Sequence, residues 1–324
     1  MDTREDGSQP QISSIITIIL LVFLVLILPG VQWSLFGWLH ILLPLVSFYL
    51  LCRFGMHVGN KLILTAVGLS FATFLALQRV DFFFFSISLL PIGYILSNSA
   101  DRKDSPALSG LKGALTLAGS WAIIFAFLSV GSEVSFYSQL INTLDEGINE
   151  TLEYYRVSSD MSGENLVLLE GMLHQMKVLV PIIMPAILGS FVLLVTWFTM
   201  VIGNRLVLKT CGRSIWGEYK FWSLSDKLIW LFIFLALFAL IPVHPARSIG
   251  INCLILLSIV YCFQGLSIAI FFLDKWNVPI VFRSFFYVMI VFQSFGTVLL
   301  LFFGIADIWF DFRKLHKVDE ETIE

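Results

Sequence analysis

The chain has 324 residues, of which 58% are apolar, 15% aromatic and only 13% charged, against about 25% charged in soluble domains. A net charge of −3 leaves no concentrated basic surface of the kind nucleic-acid binding needs. The four cysteines (Cys52, Cys211, Cys253, Cys262) show neither a CxxC nor a Cys/His spacing, so neither a metal module nor a disulfide framework is indicated.

Residues 1–11 are polar and acidic, without the basic region and small-residue cleavage site of a secretory signal; they predict a cytoplasmic tail before a retained first span. Nearly uncharged stretches then follow at 12–28, 33–52, 61–78, 82–97, 109–131, 178–203, 228–242, 249–273 and 279–306. Such lengths match the roughly 20 residues a helix needs to cross a hydrocarbon layer about 30 Å thick. In lipid every backbone polar group must find an internal partner, so the fold class is all-α: a polytopic bundle of 8–9 spans.

The first five stretches form an N-terminal bundle over 12–131. Two of them carry small residues at intervals of four: Gly68, Ala72 and Ala76 in the third, and Gly110, Ala114, Ala118, Ala122 and Ala126 in the fifth. Small residues on one helix face let two backbones approach closely in lipid. The stripes suit packing of these two spans on each other before they suit an exposed face for a partner's helix.

Residues 132–177 are soluble in character and acidic, with Glu133, Asp145, Glu146, Glu150, Glu153, Asp160, Glu164 and Glu170 against Arg156. Apolar positions Phe136, Leu140, Leu144, Ile148, Leu152 and Tyr155 recur at helical spacing, and a second stripe runs from Leu166 to Met176. With a turn at residues 158–160, this predicts an amphipathic extracytoplasmic helical hairpin resting on the bundle or the outer headgroups.

The C-terminal segments, 178–306, enclose a loop at 204–227 that combines Arg205, Lys209 and Arg213 with Trp216, Tyr219, Phe221 and Trp222. That mixture predicts a lipid-anchoring segment at an anionic cytoplasmic leaflet. The spans hold few polar residues: His40, Asn252, Gln264, Ser267, Gln293 and Ser294. These fit hydrogen bonds between neighbouring helices better than a solute cavity.

Loop charge sets the orientation. With a cytoplasmic N-terminus, thirteen Lys and Arg fall on the inner side and four on the outer, but nine strict crossings would leave Arg313, Lys314 and Lys317 outside. In the charged tail, 307–324, Asp307 and Asp311 share a helix face beside Trp309, with Arg313 just beyond. This arrangement predicts an interfacial clamp in which Asp311 pairs with Arg313, rather than an acid–base site. No P-loop, HExxH, GxSxG or dinucleotide fingerprint occurs, so no enzyme activity, cofactor or metal is expected.

Gly304, Asp307, Phe310, Asp311, Arg313 and Lys314 resemble the terminal G-x-x-D-x-x-F-D-x-R-K of the YybS-like family of bacterial membrane proteins, and Gly265-Leu266-Ser267 resembles its penultimate span. Pro44 with Arg53-Phe54-Gly55 resembles its early segment, with Phe54 where the family often has His. Its early spans are similar to energy-coupling-factor substrate subunits and to MreD. The resemblance implies a multi-pass protein of the bacterial inner membrane whose partners are lipid and other membrane proteins. The function expected is a small-molecule transport-related module without its own ATPase, its ligand unidentified; the alternative is a structural or assembly protein of the cell envelope.

Overall fold

The structure is a computed structural model that describes residues 12–130, 135–157 and 163–314. The 1–11 tail, Glu133, the 158–160 turn with Asp160, and Lys317 lie outside the described residues. Within them the protein is all-helical. Helices α1 (Ile12–Val31), α2 (Trp33–Phe36), α3 (Leu42–Ala76), α4 (Val80–Asp101) and α5 (Pro106–Ser129) precede α6 (Phe136–Val157) and α7 (Gly163–Cys211). Then come α8 (Leu228–Leu240), α9 (His244–Lys275), α10 (Ile280–Phe292) and α11 (Ser294–Phe310). Six helices are long and apolar enough to cross a membrane, or seven if the bent pair α10–α11 counts as one.

Two compact units share these helices: residues up to Trp121 with Val192–Leu224 and Tyr261 onward, and Ala122–Phe191 with Ser225–Val260.

In the first unit the stretches 33–52 and 61–78 lie on two separate limbs of α3, which folds back at Gly55, a glycine with φ +78° and ψ 165°. A side chain at Gly59 would come within 2.9 Å of the Leu50 carbonyl oxygen, whereas an unbroken helix would hold those residues about 13 Å apart. Helix α4 confirms the reversal. It runs beside the first limb through His40–Ser86 and Cys52–Ser97, and beside the second through Tyr94–Asn60 and Phe83–Phe74. Only glycine adopts the Gly55 conformation without strain, so this residue makes the turn between the two limbs.

His40 is held from both ring nitrogens: Nδ1 lies 3.3 Å from the Gly37 carbonyl oxygen and Nε2 2.9 Å from Ser86 Oγ, whose hydroxyl also reaches the Phe82 carbonyl.

In the second unit, α6 and the start of α7 pair antiparallel through Arg156–Glu170 and Lys177–Asn149. Ile148 and Leu173 are buried, so the hairpin's two apolar stripes cover part of themselves. The second helix of the hairpin does not end at residue 177. It belongs to α7, which runs on through residues 178–203 to Cys211, 49 residues in all.

That long helix contains Pro181 and Pro185. Pro185 has no N–H, which frees the Pro181 carbonyl; the Tyr137 hydroxyl donates to it at 2.7 Å. One residue on, Asn252 of α9 takes both halves of a backbone bond. Its Nδ2 donates to the Ile182 carbonyl at 2.7 Å and its Oδ1 accepts from the Ala186 N–H at 2.7 Å. Asn252 therefore does the interhelical bonding expected of a lone amide, at a helix break. Asn252→Leu should leave both backbone groups short of a partner and cost about 1–3 kcal/mol, read as a lower melting temperature of the purified protein.

Candidate functional site

Asn252 bonds α7 in the second unit and Gln293 is exposed at the end of α10, whereas Gln264 and Ser267 of α9 meet Asp307 and Arg313 at one end of the first unit. The approach of α9 and α11 makes this possible. A side-chain carbon at Gly265 would overlap the Leu300 carbonyl oxygen, and one at Gly304 the Tyr261 carbonyl oxygen, at 1.9 and 2.1 Å. With only hydrogens at both crossings, the two backbones touch.

Just beyond this contact lies a buried ion pair. Arg313 Nη2 donates to Asp307 Oδ2 at 2.8 Å, with the arginine side chain 0% exposed and the aspartate 6%. The rest of the cluster satisfies what burial would otherwise leave unpaired. Asp307 Oδ2 also accepts from Gln264 Nε2 at 3.0 Å, and Oδ1 accepts from the Phe312 N–H at 3.0 Å. Arg313 Nη1 donates to the Lys220 and Trp222 carbonyls and to Ser267 Oγ, all within 2.8–3.0 Å. Gln264 Oε1 in turn accepts from the Leu224 N–H at 3.2 Å. The guanidinium Nε has no partner among the described residues.

Asp311 takes a different part from the one expected. It ends α11 with φ 37° and ψ 60°, a left-handed cap that turns the chain back so Arg313 reaches Asp307. The partner of Arg313 is thus Asp307, one helical turn before Asp311, and the pair is buried rather than interfacial. Trp309 and Phe310 of the same motif point outward.

The 204–227 loop is also corrected. Trp216 is buried, donates from Nε1 to Ser109 Oγ at 3.1 Å and stacks on Phe48 with ring centres 5.6 Å apart. Asn204 holds the turn before it by accepting from the Ile215 N–H and donating to the Trp216 carbonyl. Tyr219 donates to the Phe263 carbonyl, and burial pushes its phenol well above the ordinary range. Trp216 and Tyr219 face protein, not lipid; Phe221 is the exposed member. Nothing in the loop's composition separates these roles. The Ser109 and Phe48 partners lie more than 100 residues upstream.

A second group of charges adjoins the cluster. Asp274 binds both Arg283 and Lys220, and Lys220 also binds Glu218 at 2.6 Å, which raises its pKa. Asp274 thus links Arg283, at the start of α10, to Lys220, whose carbonyl accepts from Arg313 beyond α11. Between them α10 and α11 are bent by 99°.

The small-residue stripes are not consumed by packing. Ala118, Ala122 and Ala126 are exposed, as are Gly68, Ala72 and Ala76, while Gly110 and Ala114 are half-buried. The packed face of α5 lies one position away. Ser109 and Leu117 are buried, Trp121 bonds Ser88, and Gly113 sits against Thr196.

As chemistry, the Asp307–Arg313 cluster is a closed network in which each carboxylate oxygen is occupied. It fastens a loop to two helices. Among the described residues no group of three His, Cys, Asp or Glu could hold a metal ion.

A family model described as "Predicted membrane protein (DUF2232)" matches residues 15–308. The chain belongs to this family. The match takes in Gly265, Gly304 and Asp307 and stops short of Arg313. Neither a curated protein nor a solved structure matches the chain. Membership makes the apolar helices membrane helices in contact with a lipid bilayer.

Proposed function

We propose that this member of the family is a multi-pass protein of a bacterial inner membrane that serves small-molecule transport by binding partner membrane proteins, and that it has no ATPase or hydrolase activity of its own. The observation that carries the reading is the outward-facing stripe Ala118, Ala122 and Ala126, left free by the packing of α5 on Ser109, Gly113 and Leu117. A smooth helix face in lipid suits a second helix, since small residues permit close backbone approach. The likeness of the terminal motif to YybS-like proteins, and of the early spans to energy-coupling-factor substrate subunits, supports a coupling partner that supplies energy. In this topology the N-terminus is cytoplasmic, eight segments cross, and the α10–α11 pair returns to the cytoplasmic side. The α6–α7 hairpin is then extracytoplasmic.

Ala118→Leu tests the reading. Recovery of the partner from crosslinked cells should fall about tenfold, equivalent to about 1.4 kcal/mol, with abundance unchanged and solute uptake reduced. Retention of every partner together with normal uptake would end the exposed-face proposal. A second reading, an envelope assembly protein, rests on the acidic hairpin, where Glu146, Glu150 and Glu153 are exposed. Co-purification with envelope-synthesis proteins instead of an ATPase pair would favour it.

A further inference from the structure

At the loop end of the first unit some basic residues are matched by carboxylates and others, among them Arg102, Lys103, Arg205 and Lys209, stand in no ion pair among the described residues. Lys112, Lys220, Arg283 and Arg313 each have a carboxylate partner: Asp104, Glu218 or Asp274, and Asp307. The bond from Lys112 holds the Asp104 carboxyl below its ordinary range. Arg53 and Arg213 are exposed and stand in no ion pair among the described residues. They are also neighbours. Arg213 Nη2 lies 3.4 Å from the carbonyl oxygen of Cys52, the residue before Arg53.

Their setting is amphipathic. The Arg53 guanidinium lies 5.0 Å from the Phe54 ring centre, and its Nη1 donates to the Tyr49 hydroxyl at 2.7 Å. Beside it, the Gly55 reversal exposes Met56 and Val58 to 47% and 38%. Exposed apolar side chains next to unpaired arginines suit the boundary between acyl chains and headgroups. Asp101, at the end of α4, is close enough for its charge to act on Cys52, yet it bridges to neither arginine.

We infer that Arg53 and Arg213 form a binding site for the phosphate of an anionic phospholipid headgroup, with Met56 and Val58 against the acyl region. A guanidinium group donates paired N–H bonds to phosphate oxygens, a geometry that an ammonium group does not reproduce.

The test uses the full-length protein in neutral phosphatidylcholine micelles, titrated with phosphatidylglycerol and followed by native mass spectrometry and melting temperature. Bound phosphatidylglycerol should raise the melting temperature of the wild type. Arg53→Gln with Arg213→Gln should weaken binding about fivefold for each arginine, or about 25-fold together. A charge-matched control, Arg79→Gln with Arg247→Gln, should bind as the wild type does. If the glutamine pair folds poorly, Arg53→Lys with Arg213→Lys keeps the charge, and it should retain partial binding. Equal binding by wild type and the glutamine variant would overturn the inference. So would equal stabilisation by soluble inorganic phosphate, which would show an anion site without lipid selectivity.

Discussion

Gly265→Leu and Gly304→Leu should each abolish the folded protein in detergent, with loss of the monodisperse peak in size-exclusion chromatography and no cooperative melt. The magnitude follows from what a side chain would strike. At both positions the first carbon overlaps a backbone carbonyl oxygen across the α9–α11 crossing, and backbone cannot swing aside as a flexible side chain can. Separating the helices would also draw Asp307 away from Gln264, so loss of close packing and loss of the polar network coincide. A penalty above about 4 kcal/mol is expected, a large part of the 5–15 kcal/mol that stabilises a typical domain. Gly68→Leu is the matched control. The first carbon of a side chain there meets nothing within 4 Å, and the melting temperature should stay within the range of ordinary surface substitutions. Equal damage at Gly68 and Gly265 would mean that the crossing is not what holds these helices.

The second large effect is expected at the ion pair. Asp307→Asn should cost about 3–5 kcal/mol because it leaves the buried Arg313 charge uncompensated, while Asp311→Asn should cost less than about 1 kcal/mol. Arg313→Gln should resemble Asp307→Asn and in addition free the 220–224 segment, seen as faster proteolysis there. Replacing both charges, with Asp307→Leu and Arg313→Met, should recover much of the loss, since a buried pair contributes little net stability over apolar residues of similar volume. A double variant as unstable as the sum of the singles would show that the two residues act independently. Intact folding and lipid binding in Asp307→Asn, with loss of a cellular phenotype, would instead mark the cluster as functional.

Some of this arrangement is legible in residue order. Gly265, Gly304, Asp307 and Arg313 stand out as a motif, and Gln264 and Ser267 stand out as polar residues within apolar spans. Their joint assembly is not legible. Spacing placed Asp307 and Asp311 on one face and Arg313 nearest Asp311, because a regular helix was extrapolated past its end. The left-handed turn at Asp311 breaks that extrapolation, and it carries Arg313 back by one helical turn. Trp216 shows the same limit. Beside basic residues an aromatic side chain suits a headgroup layer, yet this one is taken up by a slot between Phe48 and Ser109.

The sequence by itself determined that the protein is helical and lives in a membrane, because long uncharged runs have one low-energy solution where backbone groups cannot bond water. Only the tertiary structure decided how the runs are joined. Gly55 turns the chain back between the two limbs of α3, and α10 meets α11 at a 99° bend. It also decided which helix faces are used, with Ser109, Gly113, Leu117 and Trp121 packed and Ala118, Ala122 and Ala126 left outward. Both outcomes depend on contacts between distant segments, for which hydrophobicity, the same on every side of these helices, carries no signal.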